Sequence, residues 1–117
     1  MKYARVFTGP DGETHFEDVE VELTGTEPGG PQRSAKIPGG EIDIARLPVG
    51  AFEDWHPTPF TWIGAVLQGT VEVAVSDGEV RRFSVGDLHV HADTDGRGHT
   101  TRSVGKDDLV VIRTKLS

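Results

Sequence analysis

The chain has 117 residues, no cysteine and a formal net charge of −7, from 12 basic and 19 acidic residues. This length fits one domain, residues 1–117, and the absence of cysteine excludes disulfides, thiolate nucleophiles and Cys-ligated metal sites. The acidic balance argues against nucleic acid or an anionic membrane as partner. Because no apolar run approaches a membrane span and residues 1–5 lack the core of a signal peptide, we expect a soluble cytoplasmic protein.

The chain predicts strands and almost no helix. Helical apolar spacing is nearly absent, whereas short alternating runs recur between turns rich in Gly and Pro, which number 15 and 7. Such spacing is typical of an all-β sandwich or barrel with about eight to ten strands. In chain order, strands are expected at residues 19–23, 42–44, 60–67, 71–75, 79–83, 88–92, 99–103 and 109–115.

Two connections stand out between these strands. Asp77-Gly78 is a tight hairpin turn, because Gly tolerates the positive φ that such turns need. Residues 25–40 hold three prolines and five glycines, which predicts a loop with at most one short strand at 34–37.

Five histidines occur, at positions 15, 56, 89, 91 and 99, and the last three fall within eleven residues. Imidazole is a common ligand of divalent transition metals such as Fe, Zn, Mn, Ni and Cu. Clustered histidines on the strands of one barrel therefore indicate a candidate metal site, whereas His15 is expected at the surface.

Residues 50–103 contain two spaced motifs of glycine and histidine. In the first, Gly50 precedes His56 by six positions and Gly69 closes the motif; in the second, Gly86 opens the motif and His99 follows. These motifs resemble those of the cupin superfamily, and the resemblance implies a cupin jelly-roll β-barrel with a central metal or ligand pocket. The pair His56-Pro57 and the stretch 93–99 are similar to the corresponding segments of small bacterial single-domain cupins, a group with no single established activity.

The chain departs from the family pattern at two ligand places. Thr58 stands at the second histidine of the first motif, and Trp62 stands at its glutamate. Only His56 and His99 carry over from the family's four ligands, and two imidazoles alone hold a metal weakly. Either the metal has been lost, or other residues supply the missing ligands.

His89 and His91 are the candidate replacements. They lie two residues apart on one strand, so both point to the same face. If that face is the lumen, the pair joins His56 and His99 in a metal site; if it is the outside, the pair is structural or lies at a subunit interface. The sequence leaves this orientation open.

Other residues near these motifs carry two interpretations each. Trp62, Thr58 and Phe60 are candidates for a substrate pocket, although core packing is the commoner role of such side chains. Asp93 or Asp95 could orient the His99 imidazole through its second nitrogen, but solvated turn carboxylates are the commoner outcome.

These patterns support a small metal-binding cupin enzyme that acts on a small organic molecule by dioxygenase, isomerase or lyase chemistry. The alternative is a metal-free cupin that binds a small ligand without catalysis. Open sheet edges and the family resemblance make a homodimer the expected assembly.

Overall fold

The computed structural model describes residues 1–117, and all of its regular structure is β. The all-β prediction is therefore confirmed, and the structure contains no helix long and apolar enough to cross a membrane. The ten strands are β1 (Lys2–Thr8), β2 (Thr14–Glu20), β3 (Gly39–Leu47), β4 (Phe52–His56), β5 (Trp62–Gln68), β6 (Thr70–Val75), β7 (Val80–Ser84), β8 (Leu88–His91), β9 (His99–Ser103) and β10 (Leu109–Leu116).

The strands form two sheets. The larger sheet has the order β2-β1-β8-β5-β10-β3, and the smaller has the order β4-β9-β6-β7. Every pairing is antiparallel except that of β1 with β8, which is parallel. From β3 to β10, every two consecutive strands except β6 and β7 lie in different sheets, as in a jelly roll, and a core forms where the inner faces meet.

The core consists of small and branched apolar side chains from both sheets. In β6, Val71, Val73 and Val75 alternate with half-buried neighbours and are at most 3% exposed, as the sequence predicted. Burying each such side chain contributes about 1.5–3 kcal/mol. The remaining core residues are Ala4, Val6, Phe16, Val66, Phe83, Leu109 and Val111.

The turn at Asp77-Gly78 forms as predicted. Gly78 has a φ of 101°, and its N–H donates to the carbonyl of Val75 over 3.2 Å. The Asp77 carboxylate accepts the N–H of Glu79 at 2.8 Å, so side chain and backbone together fix the hairpin between β6 and β7.

The N-terminal third differs from the sequence prediction. The strand expected at 19–23 lies earlier, at Thr14–Glu20, because it pairs along its full length with β1, which the periodicity missed. No strand forms at 34–37, and a single bridge before that segment joins Thr24 to Arg33. Ile42 and Ile44 do lie on a strand, but they are 65% and 67% exposed, because Ala45 and Leu47 supply its inner face.

Candidate metal centre and cavity

A cavity of about 110 Å³ lies between the two sheets and reaches the surface beside Glu53 and Pro59. Its wall combines apolar side chains from β3, β6 and β10 with imidazoles from three other strands. All four histidines proposed as metal ligands line it: His56, His89, His91 and His99.

The four imidazoles form a row that runs from the interior to the cavity mouth. Adjacent ring centres are 5.2 Å apart for His89 and His91, 4.5 Å for His91 and His99, and 4.8 Å for His99 and His56. The first three histidines are at most 3% exposed, whereas His56 is partly exposed. Residues far apart in sequence thus meet at one place.

The register of β8 decides which way its histidines face. On the parallel neighbour β1, Ala4 lies beside His89 and Val6 beside His91. On the antiparallel neighbour β5, Gly64 lies beside His89 and Trp62 beside His91. Ala4 and Val6 belong to the core, so the same face of β8 points inward. The pair therefore lies inside the barrel and not at an exposed interface.

His89 and His91 share one hydrogen bond, between His91 Nε2 and His89 Nδ1 at 3.2 Å. Burial lowers the pKa of His89 to about 4 and the pKa of His91 well below 6.5, so both rings are neutral at pH 7. In this hydrogen bond one ring donates its N–H and the other accepts with a nitrogen lone pair. Of the two remaining ring nitrogens, one therefore carries an N–H and the other a free lone pair. These atoms, His89 Nε2 and His91 Nδ1, are buried without a partner.

Asp93 contacts His99, the third imidazole of the row. Its Oδ2 lies 2.6 Å from His99 Nδ1, and neither residue is more than 3% exposed. The expectation of a solvated turn carboxylate is therefore wrong for Asp93, although Asp95 is exposed. A carboxylate on Nδ1 fixes the imidazole orientation and leaves Nε2 available.

The loop before His99 is held against His56. Gly98 has a φ of 75°, and a Cβ added there would overlap the carbonyl of His56. His56 Nδ1 lies 2.6 Å from the carbonyl of Asp54, which accepts its N–H and leaves Nε2 available. Gly98 thus permits the approach that brings His56 and His99 together.

The donor atoms fit a divalent metal. Ligand atoms of His91, Asp93 and His99 all lie within 4.8 Å of one another, and all three residues are buried. His91 Nδ1 and Asp93 Oδ1 lack partners, which is unusual for buried polar atoms outside a binding site. Imidazole with carboxylate suits Zn, Fe, Mn or Ni, so this group could hold a metal. The sequence predicted at most an orienting role for Asp93 and no ligand role.

Trp62 and Thr58, the two departures from the motif, contact each other in the cavity wall. Trp62 Nε1–H donates to Thr58 Oγ1 at 3.1 Å, and that hydroxyl donates to the carbonyl of Phe60 at 2.8 Å. The indole stacks on His91, with ring centres 4.3 Å apart and planes 8° apart. Phe60 lies outside the cavity, in a neighbouring groove, where the ammonium nitrogen of Lys115 lies 5.1 Å from the centre of its ring.

A jelly roll of two sheets around a histidine-lined cavity is the architecture of a cupin. The protein is a cupin-fold protein, and a buried His-Asp-His group lies at its centre. No family model and no curated protein matches the chain.

Solved structures place the fold among cupins. The Schizosaccharomyces pombe Cnp3 cupin domain is 15% identical with a TM-score of 0.56, over 99% of this chain and 87% of that chain. An RmlC-like cupin family protein from Methanocaldococcus jannaschii is 16% identical with a TM-score of 0.55, over 64% and 67%. KdgF from Halomonas sp. is 28% identical with a TM-score of 0.52, over 82% and 87%.

Proposed function

We propose that this protein binds a divalent transition metal in its cavity and uses it to act on a small organic molecule. The observation that supports the proposal is the convergence of His91, Asp93 and His99, with buried nitrogen and oxygen atoms that lack partners. Leaving such atoms unpartnered costs about 1–3 kcal/mol each, and metal ligation would remove that cost. Two imidazoles and a carboxylate form a donor set of the required kind.

Two ligand arrangements are compatible with these contacts. In the first, His91, Asp93 and His99 all bind the metal, and the metal takes the place of the hydrogen bond between Asp93 Oδ2 and His99 Nδ1. In the second, Asp93 keeps its hydrogen bond to His99 Nδ1, His99 binds through Nε2, and His56 Nε2 replaces Asp93 as a ligand. His89 Nδ1 contacts His91 Nε2 in both arrangements. His91 could therefore bind the metal through Nδ1 while its Nε2–H donates to His89.

A bound metal would act as a Lewis acid or activate dioxygen or water. The chain's own residues then provide the surroundings: Trp62 covers one face of His91, and Thr58 holds the indole in place. The reaction class, which could be dioxygenation, isomerisation or lyase chemistry, depends on the substrate, because one fold supports many activities.

Metal content of the purified protein tests the proposal. Elemental mass spectrometry before and after reconstitution with Fe, Zn, Mn, Ni or Cu should find near-stoichiometric metal in the wild type. The variants His91→Ala and His99→Ala should lose it, whereas His15→Ala, at a histidine outside the cavity, should retain it. A wild type that holds no metal after reconstitution with any of the five would overturn the proposal.

A metal-free cupin that binds a small ligand is the second candidate function. It is supported by Trp62 and Thr58 at the motif's ligand places and by the hydrogen bond that occupies His91 Nε2. In that case the unpartnered nitrogens would bind the ligand directly. Saturable ligand binding to protein shown to be free of metal would favour this candidate over the first.

A homodimer is the assembly that we propose. The outer face of the larger sheet carries a row of apolar side chains across the four strands β3, β10, β5 and β8. These side chains lie in one row because residues paired across neighbouring strands point to the same face. Ile44 is its most exposed member, at 67%, and Ile42, at 65%, lies on the same face of β3. Exposed apolar surface of this kind marks interfaces. The row consists of Ile44, Ile112, Ala65 and Leu88.

A further inference from the structure

Arg113 is the only lysine or arginine that lines the cavity. It lies on the inner face of β10, with its guanidinium carbon 5.3 Å from the centre of the Trp62 ring. Trp62 in turn stacks on His91 at 4.3 Å. The indole of Trp62 therefore contacts both the guanidinium and a member of the candidate metal group.

The guanidinium is held from outside the cavity. Asp43 accepts two hydrogen bonds from it, with Nε 2.8 Å from Oδ1 and Nη2 2.6 Å from Oδ2. Asp43 lines the neighbouring groove and not the cavity, whereas Arg113 lines both. Nη1 has no protein partner, so the orientation is fixed while one donor nitrogen stays available.

We infer that the cavity binds a small monocarboxylate, whose anionic group accepts hydrogen bonds from Arg113. The inference rests on the proposed function, because it names the class of molecule that the cavity takes. A planar carboxylate matches the donors of a guanidinium, and a charge-assisted hydrogen bond is about twice as strong as a neutral one. The ligand's other end then extends past Trp62 towards His91.

The size of the cavity limits the ligand. An apolar cavity of about 150 Å³ accommodates benzene in another protein, so the 110 Å³ here suits a molecule of a few heavy atoms. Charge limits it further. Glu53 also lines the cavity, and Asp43 already offsets part of the charge of Arg113. These carboxylates disfavour a dianion such as phosphate more than a monoanion.

Binding of simple probes to metal-free protein tests the inference independently of the metal. Propionate, lactate and neutral propionamide would be titrated while the indole N–H of Trp62 is followed by two-dimensional NMR. Trp55, which is 49% exposed and does not line the cavity, provides the reference signal. Propionate or lactate should shift the Trp62 signal saturably at concentrations up to the order of 10 mM, and propionamide should not.

Matched variants assign the effect to one guanidinium. Arg113→Gln should weaken carboxylate binding at least about tenfold. Arg113→Lys, which keeps the charge and most of the packing, should weaken it by less, because the planar donor geometry is lost. Arg102→Gln removes the same charge from an exposed position over Phe52 and should leave binding unchanged. Glu53→Gln should tighten it, because the repulsion disappears.

Three results would overturn the inference: no saturable shift with either carboxylate, equal binding of propionamide, or unchanged carboxylate affinity in both Arg113 variants. Thermal unfolding of each variant verifies that it is folded. Metal analysis of the same preparations separates the two proposals. Metal retained without carboxylate binding contradicts only the ligand class, whereas carboxylate binding in a protein that takes up no metal contradicts only the metal centre.

Discussion

Asp93 Oδ2 lies 2.6 Å from His99 Nδ1 in the interior of the barrel, where Asp93 has no exposed surface. The hydrogen bond joins the end of β8 to the start of β9 across the loop 93–98. It fixes one nitrogen of His99 and thereby decides which nitrogen is available to a metal. A buried carboxylate in this place links the local loop conformation to the chemistry of the cavity.

Asp93→Asn should weaken metal binding about 10- to 100-fold, because an amide no longer orients His99 as a carboxylate does, or no longer ligates the metal itself. Competition with a chelator measures the change in affinity. Asp95→Asn is the matched control, since Asp95 lies exposed in the same loop and contributes only its carbonyl, to Thr8 Oγ1. Equal affinities for wild type and Asp93→Asn would contradict the role given to this carboxylate.

Gly64→Ala should destabilise the protein by about 1–3 kcal/mol and displace the indole of Trp62. A Cβ at Gly64 would lie 2.6 Å from Cζ3 of Trp62 and 3.1 Å from Cγ1 of Val111. Urea unfolding measures the stability, and the Trp62 indole N–H signal reports the displacement.

Gly40→Ala provides the control for the methyl group itself. Gly40 also lies on a strand, but a Cβ there would come no closer than 3.9 Å to the Lys115 carbonyl. We expect this variant to be as stable as the wild type or slightly more stable. If both alanine variants lose equal stability, the contact between Gly64 and Trp62 is not the cause.

His15 should stabilise the fold mainly at mildly acidic pH. Hydrogen bonds that His15 donates to Asp11 and then to Asp77 raise the pKa of His15 above 6.5. Its contribution to stability is therefore complete below pH 6.5 and is lost as pH rises through the raised value. Backbone N–H groups of Glu13 and Glu79, together with His15, lower the pKa of Asp11 and of Asp77 below 3.8. The ion pairs are therefore fully formed between about pH 4 and 6.5.

Urea unfolding of the wild type and His15→Gln at about pH 5.5 and pH 9 tests this dependence. The difference between them should be larger at the lower pH and should shrink in high salt, since these groups are largely solvated. NMR titration of Asp77→Asn should give a lower pKa for His15 than in the wild type. A stability difference independent of pH would exclude the ion pairs as its source.

Ile44→Glu should convert the proposed homodimer to a monomer, because it places a charge in the apolar row on the outer sheet face. Light scattering after size-exclusion chromatography measures the mass directly. Val85→Glu is the control: Val85 is 66% exposed, against 67% for Ile44, but lies in the turn between β7 and β8. A wild type that is monomeric, or an Ile44→Glu variant that stays dimeric, would refute an interface at this face.

The strands from β5 onward were predictable because their patterns are local. The alternation of Val71, Val73 and Val75, and the Asp77-Gly78 turn after them, identify a hairpin without knowledge of the rest of the chain. The strand β1 was not predictable in the same way, since its partners are β2 and, in parallel, β8 more than 80 residues away. Its stability comes from those neighbours and not from its own periodicity.

The sequence alone determined the all-β class, the Asp77-Gly78 hairpin and the four candidate histidines. His56 and His99 follow from a cupin-like spacing, and His89 and His91 from their place together on one strand. The two-residue period of a strand shows that His89 and His91 share a face, but it does not show whether that face points into the barrel or outward. Only the pairing of β8 with β1 and β5 turned that face inward, and only the packed loop 93–98 brought Asp93 to His99. Both outcomes depend on contacts between distant segments, which form because burying their apolar neighbours stabilises one arrangement of the sheets.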